Sequence, residues 1–239
     1  MSAPGGGGEA LALQVAAQCT PPAFAHVCPH IFRCADPTAQ SGSFAFLESL
    51  GLRSVVLLSI EYPSTALEQF CAKNHAELHH FGIERRWPTP NVIGLREAYG
   101  APSKASSLFL SSHEINSFSV LESIVKDALQ LLLDVRNHPV LVTDTAGIFE
   151  TGTLLGCLRK MQGWNFLSIL VEYRGFAGPL ARSTNERFIE MFDTDLVTLP
   201  PVEFIPDWLL PPQQFFVDEQ ERSDSAGTSD SSRRDSLSQ

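Results

Sequence analysis

One stretch limits the fold of this chain more than any other. Between His138 and Gly152 the sequence reads apolar run, acid, short glycine-bearing loop, helix start. Val140-Leu141-Val142 is β-branched and apolar, which suits a buried strand, and Asn137-His138-Pro139 stops the helix before it. A new helix is expected from near Thr151. A strand that runs through a tight loop into a helix aims successive backbone N–H groups into one concavity at the positive end of a helix dipole. The expected anion cradle is Thr145, Ala146, Gly147, Ile148, Phe149, Thr151 and Gly152, with Asp144 at its entry and Glu150 inside it.

The rest of the chain supports strands and helices in alternation. Ser54 to Ser59 reads as a buried strand, preceded by a helix from Phe44 to Leu50 with Gly51 at its end. A helix is expected over Pro63 to Lys73 and a strand over Glu77 to Ile83. Phe118, Leu121, Val125, Ala128, Leu129 and Leu132 fall at three- and four-residue steps, one face of a long helix over Ile115 to Val135. Further helices are expected over Phe166–Tyr173 and Asn185–Phe192. This alternation implies an α/β layer architecture with a largely parallel sheet. Residues 85–113 read as a long surface insert within a domain spanning 21–210, flanked by a mobile arm at 1–20 and a disordered acidic tail at 211–239. The tail from Asp218 holds seven serines in 22 residues. Within it Arg233-Arg234-Asp235-Ser236 offers Ser236 to a basophilic kinase.

Charge and cysteine usage narrow the function classes. Seventeen basic and 27 acidic residues leave a formal charge of −10, which opposes binding to nucleic acid or to an anionic membrane. Five cysteines without a C-x-x-C pattern argue for reduced thiols in a cytosolic or nuclear setting, with a cytoplasmic location expected. No Lys or Arg precedes Arg33, so no secretory or transit signal is expected. The uncharged run from Ala10 to Phe32 contains Gln14, Gln18, Pro21, Pro22, His26, Pro29 and His30, which opposes a membrane span.

Several site chemistries compete at the loop. Gly147 and Gly152 give G-x-x-x-x-G, but Thr153 stands where a nucleotide P-loop needs Lys. An aspartyl nucleophile at Asp144 needs a second carboxylate two residues on, and Ala146 is there. His26, Cys28, His30 and Cys34 are crowded enough to suggest zinc, though a strand and turn there need no metal. His79 and His80 are strand neighbours and face opposite ways. Arg85-Arg86-Trp87 reads as a solvated loop with an anchoring aromatic, or as a basic lip over the pocket. Arg159 and Lys160 read as surface helix charges, and Trp164 and Trp208 as packing aromatics. No cofactor or metal is expected.

From about Pro22 to Trp208 the sequence resembles the atypical dual-specificity phosphatases of plants and fungi, which include the fungal oxidant-induced cell-cycle arrest proteins. The resemblance rests on Val27-Cys28-Pro29-His30-Ile31-Phe32-Arg33, on Phe46 to Ser54, on Phe81-Gly82-Ile83-Glu84 and on Leu132 to Leu141. It continues through Thr151-Gly152, Gly156 to Trp164, Glu172 to Phe176 and Phe188 to Asp193. It implies the cysteine-phosphatase fold, a central mostly parallel sheet flanked by helices. Active members of that family carry His-Cys-x5-Arg in the loop, where the thiolate attacks phosphorus and the arginine grips its oxygens. Here Thr143 precedes Asp144 at the nucleophile position, and Glu150 stands at the arginine position. Cys157 lies too far into the next helix to replace the thiol. The resemblance therefore implies a protein without phosphatase turnover, working as a scaffold or regulatory subunit in a complex with other phosphatase-like family members. Hydrolysis of phosphotyrosine proteins or inositol pyrophosphates by an unconventional residue is the alternative. The expected state of the loop is a solvated, degenerate turn. A carboxylate of Asp144 or Glu150 could instead take the loop's own N–H groups, with an arginine among Arg174, Arg182 and Arg187 paired to Glu150. A metal bridging the two carboxylates is a further, minor reading.

Overall fold

The computed structural model describes residues 19–82 and 112–209, without the side chains of 112–117. The expected tail with Ser236, most of the arm, Arg85-Arg86-Trp87 and nearly all of the 85–113 insert lie outside those residues. The last two residues of the insert are helical. The strands are β1 (Ala25–Cys28), β2 (Ile31–Ala35), β3 (Ser54–Leu57), β4 (Glu77–His80) and β5 (Val140–Asp144). The principal helices are α1 (Ser43–Glu48), α2 (Thr65–Asn74), α3 (Ser112–Leu132), α4 (Phe149–Met161), α5 (Phe166–Ala177) and α6 (Ser183–Met191). The sheet order is β1-β2-β5-β3-β4, with only the β1–β2 pair antiparallel. Pro29 and His30 form the turn between those two strands, His30 at φ +65°, the pattern of a type II turn.

β5 is the middle strand, and all five of its residues are buried. A parallel strand covered on both faces reads as continuous hydrophobic sequence, as Val140-Leu141-Val142 does. Side chains alternate between two cores. Val56, Val140 and Val142 pack with α3, α4 and α6, while Val55, Leu57 and Leu141 pack with α1 and α2. On α3 the predicted stripe is buried through Val125, Ala128, Leu129 and Leu132. Ser64 caps α2 by accepting from Leu67 N at 3.2 Å, and Asn165 caps α5 by accepting from Ser168 N at 2.9 Å.

Most element boundaries differ from expectation by one to four residues, and three of the shifts have a visible cause. α4 starts at Phe149, two residues before Thr151, and the Thr151 amide in its first turn donates to Asp144 Oδ2. β4 ends at His80, where the ladder to β3 runs out at Leu57. α5 runs on past Tyr173 to Ala177 before Gly178 at φ +52° ends it. No helix among the described residues is long and apolar enough to cross a membrane.

α4 is the buried axis of the molecule, with every residue from Thr151 to Arg159 buried. Here the sequence expectation for Arg159 and Lys160 fails. Arg159 is buried, and its guanidinium donates to both Glu172 oxygens at 2.7 and 2.8 Å, to Gln162 Oε1 at 2.9 Å and to Val27 O at 2.9 Å. It also lies 4.3 Å over the Trp164 ring. Lys160 donates to the carbonyls of Glu190 and Phe192 at 2.6 and 2.7 Å, tying α4 to the end of α6. Both side chains satisfy backbone carbonyls that neighbouring elements leave open, a demand invisible in the helix's own sequence.

Candidate functional site

The loop between β5 and α4 sits at the carboxyl end of the parallel sheet, where open α/β folds place their sites. Its shape comes from three constraints. Gly147 adopts φ +68°, and a Cβ there would stand 2.5 Å from Ala35 N and 2.8 Å from Cys34 C, so the loop lies directly on the end of β2. Arg33 Nη2 donates to the Gly147 carbonyl at 2.5 Å. Tyr173 of α5 packs where a Cβ on Gly152 would fall, 2.8 Å from Tyr173 Cδ2. Substituting Gly147 by alanine combines left-handed strain with overpacking against backbone that cannot yield. It is expected to cost about 2 kcal/mol, which denaturant melts of the two proteins would measure.

Asp144 fills the cradle. Its Oδ1 accepts from Ala146 N at 2.9 Å and from Gly147 N, and its Oδ2 accepts from Thr151 N at 2.8 Å. Only 1% of Asp144 is exposed. The expectation of a solvated loop is therefore corrected: the inward N–H groups meet a carboxylate of the same chain. Such a three-residue cap can form because the Asp144 side chain leaves the strand end on the α4 side, where the dipole favours an anion.

Charges crowd this carboxylate. Glu150, in the first turn of α4, has its carboxyl pushed up to about 7 by burial first and by Asp144 second, with Arg182 pulling the other way. Arg182 is thus the arginine nearest in effect to Glu150, and it lies 3.4 Å over the Phe149 ring. Arg174 is committed elsewhere, to Glu186 through two contacts of 2.7 Å. Arg33 is buried under the loop, 3.6 Å from the Phe176 ring centre. Burial pulls it down to about 10, against the pull of Asp144, so it remains a cation at neutral pH. Its Nε has no hydrogen-bond partner, and neither has Thr151 Oγ1, both buried beside the loop. The sequence reading gives Arg33 no role at the site. A charged residue between Phe32 and Cys34 in a buried strand was the signal of a special role.

Beside the loop lies a cavity of about 160 Å³, lined among others by Asp36, Glu61, Tyr62, Thr143, Asp144 and Thr145. Thr145 Oγ1 donates to Glu61 Oε2 at 3.1 Å. Three carboxylates on a space this small make a poor seat for an anion. Ligand pockets generally run from about 300 Å³ upward. The crowded His26, Cys28, His30 and Cys34 do not converge. Cys28 belongs to the core under α4 and Cys34 to the opposite core, with its Sγ 3.8 Å from Thr143 Oγ1. Among the described residues no group of three or more His, Cys, Asp or Glu side chains is placed to hold a metal ion.

Known proteins place this geometry in a family. The tyrosine phosphatase family matches residues 18–207. The rice protein named inositol diphosphatase DSP2 is 38% identical over 183 residues, covering 76% of each chain. A Mycosarcoma maydis protein assigned by name to the tyrosine-protein phosphatases, OCA1, is 35% identical over 179 residues, 74% of this chain and 94% of its own. The core catalytic domain of the Saccharomyces cerevisiae PP-IP phosphatase SIW14, solved with citrate, superimposes with a TM-score of 0.55 at 29% identity, covering 74% of this chain and 90% of that one. A mostly parallel sheet with its loop at the carboxyl end, matched over this length, settles the kinship: the chain belongs to the tyrosine phosphatase family.

Proposed function

We propose that this protein keeps the phosphatase fold without phosphatase turnover and serves as a scaffold or regulatory subunit in signalling or stress response. The observation that carries the reading is Asp144, whose carboxylate takes the amides of Ala146, Gly147 and Thr151. A phosphoryl group entering the loop would have to displace an anion already bound by three donors. It would also face Glu150 where, by resemblance, active relatives carry an arginine. A like-charge contact at 4 Å costs about 1 kcal/mol in water and about 4 kcal/mol at an effective dielectric near 20. Helix-dipole attraction returns only about 0.3–1 kcal/mol. The loss of a soft thiolate nucleophile and of a bidentate arginine fork removes both halves of the chemistry. Other phosphatase-like family members in the cytoplasm are the proposed partners.

Assay of the purified chain on an aryl phosphate, phosphopeptides and inositol pyrophosphates tests the reading, with no turnover expected. The paired substitution Asp144→Cys with Glu150→Arg should gain aryl phosphate turnover about a hundredfold or more above the uncatalysed background, where the wild type stays at background. Wild-type turnover abolished by Asp144→Ala would overturn the proposal.

A second reading is hydrolysis of inositol pyrophosphates or phosphotyrosine proteins through an unconventional residue. It is favoured by the names of the rice and yeast relatives and by a Glu150 carboxyl that titrates near neutrality, as a general acid or base would. Turnover that requires added metal ion would support it.

A further inference from the structure

We propose that the outer face of α5 docks against the same face of a second copy of this chain, the two helices lying antiparallel across a two-fold axis. This face is turned away from the β5–α4 loop, which α5 meets through the buried Tyr173.

Trp164, just before the Asn165 cap, and then Leu167, Val171 and Arg174 recur at steps of three and four, one stripe of the helix. Leu167 and Val171 are each 73% exposed, and Trp164 is 43% exposed. With Ser168 and Glu172 the three apolar residues line an open groove of about 510 Å³. A solvated helix normally turns charged or polar side chains outward. α5 carries only Glu172 and Arg174 as charges, and both are taken, Glu172 by Arg159 and Arg174 by Glu186. Beside Arg174, Gly175 leaves open space, where a Cβ would meet nothing within 4 Å. An exposed apolar stripe without a free charge marks a contact surface.

Two observations select a second copy as the occupant. The chain carries a formal charge of −10, so two copies repel and meet at least cost where neither presents a free charge. A basic partner would be drawn to the acidic surface instead. The stripe is also self-complementary in one orientation, bulky at Trp164 and open at Gly175. Antiparallel helices about an axis midway between Leu167 and Val171 set Leu167 opposite Val171 of the second copy. They set Trp164 opposite the turn at Arg174 and Gly175. A parallel pair would set indole against indole and leave a gap between the glycines. Arg159 lies 4.3 Å over the Trp164 ring, so the indole is held before contact and costs little to order. A helix face 12 residues long covers less than the roughly 800 Å² per partner of a standard interface, so the dimer is of the weak, reversible class.

Sedimentation equilibrium of the full chain between about 10 and about 500 µM reads the association. The weight-average mass should rise from that of the monomer toward twice that value. Sodium chloride raised from about 50 to about 500 mM should tighten the dimer, because it screens the repulsion between two acidic copies. Leu167→Glu should weaken association about tenfold or more, through a carboxylate buried from each copy. Gly175→Leu should weaken it about as much, by filling the space that Trp164 of the other copy enters. Its melting temperature should stay at or above that of the wild type, because the monomer has room for the side chain and leucine is the better helix former. The proposal is overturned by a monomer at every concentration, by a dimer that loosens with salt, or by a dimer that either variant leaves intact. Cover by the chain's own arm or by an unrelated protein would give the first of these outcomes. None of them depends on turnover or on the state of the loop, so this contact and the proposed function fail separately.

Discussion

Replacing Asp144 by alanine is expected to destabilise the protein by about 4 kcal/mol, the combined cost of stripping the acceptor from three inward amides. Two of these hydrogen bonds, from the Gly147 and Thr151 amides, are buried. Arg33 loses the stronger of its two carboxylate partners at the same time, keeping the pull of Glu172, the Gly147 carbonyl and the Phe176 ring. One term opposes these: Glu150 loses its like-charged neighbour, and its carboxyl should drop from about 7 while staying raised by burial. At about 2–4 °C per kcal/mol for a chain of this size, the melting temperature should fall by roughly 10 °C. Asp144→Asn keeps one acceptor oxygen and should lose about half as much. A melting temperature for Asp144→Ala equal to the wild type would show that the amides do not depend on this carboxylate.

Arg159→Ala should be comparably damaging, by about 4 kcal/mol, although it lies far from the loop in sequence chemistry. The change orphans Glu172 and the Val27 carbonyl together and removes the planar group over Trp164. Lysine at this position keeps the charge but cannot span both Glu172 oxygens and the β1 carbonyl, so Arg159→Lys should recover less than half of the loss. Chemical denaturation with unchanged slope and a shifted midpoint is the expected signature. A midpoint for Arg159→Ala within error of the wild type would mean that the guanidinium sits in solvent, as its sequence context suggested.

The layers of the fold were legible because they rest on apolar patterning. The stripe on α3 and the run Val140-Leu141-Val142 report burial on one or both faces, and burial is what fixes strands and helices in the sheet. The loop was legible as a place but not as a state. Whether Asp144 meets water or the amides of its own turn depends on how the end of β2 supports Gly147, a contact between residues more than a hundred positions apart. Arg159 was misread for a related reason. A charged residue on a helix looks solvated until the strand edge and the neighbouring helix that it satisfies are brought against it. Arg33 is visible in the sequence as a charge inside an apolar strand, but what it serves is visible only once the loop rests above it.

The contact of Gly147 with the backbone of β2 has a last consequence. The shape of the loop is supported from beneath by the pairing of strands and from within by the Asp144 carboxylate. A partner that docks over this end of the sheet meets a surface already in its final form. Association would then lose little entropy to ordering, and its heat-capacity change would reflect the surface buried at the interface without a contribution from coupled folding.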